Sequence, residues 1–124
     1  VGLNLHVPIF DKLQTSTRVK QQKLALQNAI LDLEQQKNDL RKEIDQAYYN
    51  AHNAYAEQIA SEKAEQSTAE ALRYITQKYE AGRATSYEYQ EARNNHLQAE
   101  STRLQAQYNY LFRLRILQYY QGVL

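Results

Sequence analysis

From Lys12 to Tyr79 the chain contains neither Gly nor Pro, and this uninterrupted run constrains the fold more than any other feature. Gly and Pro are the residues that most readily end or break a helix, so nothing here interrupts one. Roughly 66 helical residues at about 1.5 Å of rise each make an arm near 100 Å long. Apolar residues recur along it every seven positions: Val19, Leu26, Leu33, Leu40, Ala47 and Ala54, continued by Ser61, Thr68 and Ile75. A companion row holds Ile30, Ile44, Ala51, Leu72 and Tyr79. A period of 3.5 sustained this long predicts a coiled-coil seam.

The seam changes character along the run. Leu and Ile dominate between residues 24 and 44, and Ala, Ser and Thr take over from 47 to 68. Small residues permit close helix approach but bury little area. At roughly 25 cal/mol per Å2, a seam of two such helices is marginal, so further helices are expected to cover it. The run ends in YEAGRATSYE, residues 79 to 88. Gly82 suits the left-handed residue that closes a helix, and Thr85 followed by Glu88 spells a capping box that opens the next. A second helix follows, with Leu97, Leu104 and Leu111 spaced by seven, Tyr108 and Leu114 beside them, and Gly122 after it. The expected fold is all-α: a long antiparallel, coiled-coil-like helical hairpin, with helices over about 12–79 and 86–121 and a turn over about 80–85. Ahead of it, Val1, Leu3, Leu5 and Val7 alternate with Gly2, Asn4, His6 and Pro8, the pattern of a short strand over 1–10. No second strand is present to pair with it, which reads as a piece of a longer chain.

Fifteen basic and 14 acidic residues leave a net charge of +1, with the signs interspersed. Nucleic-acid binding needs basic residues gathered on one face, so that class is set aside. No stretch approaches the roughly 18 apolar residues of a membrane-spanning helix. Three His residues, His6, His52 and His96, stand apart from one another. None pairs at i,i+4, and no Glu-x-x-His motif, phosphate loop or Ser/His/Asp grouping occurs. The reading is a non-enzyme with no catalytic residues, no cofactor and no metal. Eleven Tyr with no Trp is an unusual balance. Tyr rings pack along helix seams while the hydroxyl stays wet, or they mark contacts between neighbouring hairpins.

Together these features resemble the outer-membrane efflux family typified by TolC. The resemblance rests on Leu3 to Asp11, Val19, Leu26, Ala29, Leu33, Ala47 and Tyr48, then Tyr79-Glu-Ala-Gly82, Thr85, Glu88 and Ala92, and finally Ala106, Tyr108 to Leu111 and Gly122. It implies that the chain is the periplasmic helical region of the second of two structural repeats, with residues 1–10 as the inner end of a barrel strand. The parent would be a homotrimer in the outer membrane of a Gram-negative bacterium, anchored through barrel strands absent here and exporting drugs or other substrates. The resemblance also gives the hairpin tip a role. Ala81, Gly82 and Arg83 would contact a periplasmic adaptor protein and, through it, an inner-membrane pump; Tyr79 and Arg83 would be possible gate residues. TolC resembles Y-x-x-G-T-R-T at this point, whereas this chain reads Y-E-A-G-R-A-T, with the basic residue one position early. As alternatives, a long Ala/Gln-rich hairpin also suits a periplasmic adaptor, and the heptads alone suit a generic coiled-coil scaffold.

Overall fold

The computed structural model describes residues 1–5 and 11–122, with only the backbone described at 11 and 12. Two helices make up the regular structure, α1 over Asp11–Glu80 (70 residues) and α2 over Ser86–Tyr120 (35 residues). The chain is an all-α hairpin, and no strand occurs among the described residues. Val1 to Leu5 take no regular secondary structure, and the rest of the strand-like stretch, residues 6–10, lies outside the described residues.

The chain falls into two units, Val1–Lys42 and Glu43–Leu124. In the first, every described side chain is exposed. Its Leu and Ile row is therefore uncovered within this unit: Leu26 is 61% exposed, Ile30 50%, Leu33 52% and Leu40 49%. Leu13, Leu24 and Leu31 are exposed as well. A helix with this much apolar surface facing water keeps it only until a partner covers it.

The second unit holds the seam between the arms. On α1, Ala47, Ala51, Ala54 and Ser61 are buried, and Ile44, Gln58, Glu65, Thr68, Leu72 and Ile75 are half-buried. Their alternating spacings of three and four are the two heptad rows expected from the sequence. On α2 the seam runs through Tyr89, Ala92, His96, Ala99, Arg103, Ala106, Tyr110, Arg113, Leu117 and Tyr120, again at spacings of three and four. Only Ala106 of these is fully buried.

The Leu row of α2 does not lie in this seam. Leu97, Leu104 and Leu111 remain 50%, 41% and 46% exposed. Each stands one residue beyond a seam position, at His96, Arg103 and Tyr110. One residue turns the side chain by about 100°, enough to carry it off the contact. Between those larger residues, α2 meets the Ala and Ser of α1 with its own small ones, Ala92, Ala99 and Ala106. Bulky Leu at those positions would force the arms apart.

Aromatic rings supply the larger cross-arm contacts. Tyr55 meets Tyr110 with ring centroids 5.4 Å apart, and the Tyr120 hydroxyl reaches Glu43 Oε2 at 3.5 Å. Of the Tyr pairs adjacent in sequence, Tyr48–Tyr49 and Tyr119–Tyr120 each pack edge to face. Tyr48, Tyr49, Tyr108 and Tyr119 are each more than half exposed.

Because both arms leave large apolar side chains in water, the chain in solution is expected to associate into a bundle of two or more copies. Multi-angle light scattering checks this, and a well-folded monomer at micromolar concentration would contradict it.

Candidate functional site

The hairpin tip gathers the candidate residues, and its shape follows from two adjoining caps. At the end of α1, Gly82 adopts φ +67°, where a side chain on an L-residue is strained. The Gly82 N–H donates to the Tyr79 carbonyl at 3.0 Å, and the Arg83 N–H donates back to the Lys78 carbonyl at 2.7 Å. These two bonds form a Schellman motif, which satisfies carbonyls that the helix end would leave unpaired. A Cβ built on Gly82 would meet nothing within 4 Å, so the backbone angle alone selects Gly here.

Three residues later α2 begins at a reciprocal cap. Thr85 has extended backbone angles (φ −83°, ψ 158°) and its Oγ1 accepts from the Glu88 N–H at 3.2 Å. Glu88 Oε2 in turn accepts from the Thr85 N–H at 2.7 Å and from the Thr85 hydroxyl at 2.9 Å. These donors hold the Glu88 carboxyl below its ordinary value of 4.5, the Thr85 backbone N–H first and its hydroxyl second, with a weaker attraction from Lys78.

A ring pair clasps the arms just behind the turn. Tyr79 and Tyr89 stack with centroids 5.2 Å apart and planes 18° apart. On the α1 side, Lys78 Nζ lies 4.6 Å above the Tyr74 ring. Ala81, Gly82 and Arg83 are exposed, whereas Ala84 is half-buried. Tyr79 and Arg83, singled out as a possible gate pair, sit differently: Tyr79 is engaged with Tyr89 and Arg83 projects from the turn. Beside the tip an open groove of about 250 Å3 runs between the arms. Thr68, Ala71, Ile75 and Ala92 form its floor and walls, and Glu88, Glu91 and Asn95 edge it. Sequence reasoning did not single out this groove, because it depends on which faces of the two helices meet.

The tip therefore offers fixed shape and exposed groups. Among the described residues no group of three or more His, Asp or Glu could hold a metal ion. No helix among them is long and apolar enough to cross a membrane.

Replacing Thr85 by Ala should cost about 1 kcal/mol of hairpin stability near neutral pH, the usual loss for a helix N-cap. The Glu88 pKa is lowered on folding, so the stability it contributes is present above its ordinary value and fades as pH falls through the folded value. The destabilisation by Thr85→Ala should accordingly shrink when thermal melts are repeated below pH 4.5. An unchanged difference across that range would show that the carboxylate contributes nothing to the cap.

Comparison with known proteins adds the family. A family model described as outer membrane efflux protein matches residues 1–122. No curated protein and no solved structure matches the chain. Since that match runs over both helices and the turn between them, the chain belongs to the outer membrane efflux protein family, whose members are components of outer-membrane efflux channels.

Proposed function

We propose that this hairpin is a periplasmic wall segment of a trimeric channel that exports drugs or other substrates within a tripartite efflux or secretion system. The observation that carries the reading is the apolar surface that the hairpin leaves uncovered on each arm. The Leu97–Leu104–Leu111 row lies off the seam, and α1 up to Lys42 exposes its own Leu and Ile rows. Helices with apolar rows left uncovered are suited to a wall in which each helix has further neighbours, such as a tunnel formed by several copies. Alternating acidic and basic residues elsewhere leave the remaining faces wet, as a water-filled conduit requires. Catalysis has no part in this reading.

The tip is then the end that docks. Ala81, Gly82 and Arg83 form the exposed turn and are the candidate contacts for a periplasmic adaptor, through which an inner-membrane pump is engaged. Arg83 supplies the charge, and the Schellman turn holds it outward. Tyr79 and Arg83 remain the proposed gate residues, with Tyr79 released from Tyr89 when the arms at the entrance rearrange. The outer-membrane anchor would come from barrel strands, with residues 1–10 as the inner end of one.

In the full-length parent, Gly82→Val should distort the tip, because a β-branched side chain is strained at φ +67°. Export is expected to fall about tenfold or more while the amount of protein in the outer membrane stays near normal. Crosslinking from a cysteine at Arg83 to the adaptor should fall with it. Unchanged export together with unchanged crosslinking would remove the case for the tip. Amine-reactive crosslinking of the full-length parent should trap species up to the trimer, and a ladder that ends elsewhere would overturn the trimeric reading.

A further inference from the structure

The arms of the hairpin do not pack uniformly. On the side away from the turn the seam holds the buried Ala47, Ala51 and Ala54, and towards the turn it resumes with Leu72 and Ile75. Between them the seam positions are Gln58, Ser61, Glu65 and Thr68 on α1, facing the α2 stretch that carries His96, Ala99, Arg103 and Ala106, of which Ser61 and Ala106 are fully buried. Little in this polar layer ties one arm to the other. The Ser61 hydroxyl donates to the Gln58 carbonyl and the Thr68 hydroxyl to the Glu65 carbonyl, each at 2.8 Å and each within α1. Since the Thr68 proton is committed to its own helix, the cross-arm contact to His96 Nδ1 must be donated by the imidazole, and at 3.4 Å it is long. The Glu65–Arg103 ion pair spans 3.7 Å, beyond hydrogen-bond range. Gln58 Oε1 and Arg103 Nε are buried with no hydrogen-bond partner.

A buried polar atom without a partner is destabilising, and it recovers its hydrogen bonds when water reaches it. Parting the arms is thus opposed least where the seam holds such atoms. On either side, parting exposes apolar surface and returns nothing. We propose that this layer is a built-in parting point of the hairpin, where the arms open and admit water while the Ala segment and the tip segment on either side stay packed. The opening depends only on the seam itself, so it holds whatever the tip docks to.

Hydrogen exchange followed by mass spectrometry on the intact chain tests this, because an arm stripped of its partner is a marginal helix and exchanges its amides. Amides over 58–68 and 96–106 should be protected about tenfold less than those over 44–54 and 69–79. The double substitution Thr68→Val with His96→Leu should raise protection in the layer to within about threefold of its flanks and leave the flanks unchanged. Should that variant fail to fold by circular dichroism, the unsubstituted chain and Thr68→Val alone decide. Even protection across all segments, or a dip that these substitutions do not move, overturns the proposal.

Discussion

Close approach of two helices through small side chains is the constraint on which the rest of the hairpin depends. Ala47, Ala51, Ala54 and Ser61 meet an arm whose one fully buried residue is Ala106. A buried methyl group contributes about 0.8 kcal/mol, well under the 1.5–3 kcal/mol of a buried Leu or Phe. The contact is thin, and no large side chain among the described residues is fully buried. Tyr partly compensates, through the Tyr55–Tyr110 and Tyr79–Tyr89 pairs, because a ring covers more surface while leaving its hydroxyl wet. The consequence is an assembly part: large apolar residues on both arms are left uncovered by the hairpin.

The tip obeys different rules. Its geometry comes from the hydrogen-bonding needs of two helix ends placed almost back to back, and the caps at Gly82 and Thr85 meet those needs within a few residues. Such a turn keeps its shape whether or not the seam beside it is tightly packed. With that independence, the residues presented at the turn, Ala81, Gly82 and Arg83, are held by the caps rather than by the seam.

Much of this was legible in the sequence because the signals are local or periodic. The run from Lys12 to Tyr79 without Gly or Pro requires a long helix, and the seven-residue rows of α1 name the face that meets α2. The family was legible too, since its pattern spreads over nearly the whole chain. The face of α2 was not. Leu97, Leu104 and Leu111 are its most apolar periodic row, yet the contact runs one residue earlier, through His96, Arg103 and Tyr110. Hydrophobicity ranks residues by how much water they shed, whereas here the face is set by interdigitation: Ala92, Ala99 and Ala106 fit against Ala and Ser, with His96, Arg103 and Tyr110 between them.

By itself, then, the sequence determined that two helices form, where they turn, and which stripe of the first is apolar, because helix stops, caps and periodicity act over a few residues at a time. Only the tertiary structure decided which face of α2 closes the seam, that a groove opens between Ala71 and Ala92 beside the tip, and that Thr68 and His96 meet across the arms. Those outcomes depend on the rotation of one helix against another. That rotation is set by the fit of side chains far apart in the chain, 28 residues for Thr68 and His96 and 77 for Glu43 and Tyr120, which no local pattern encodes.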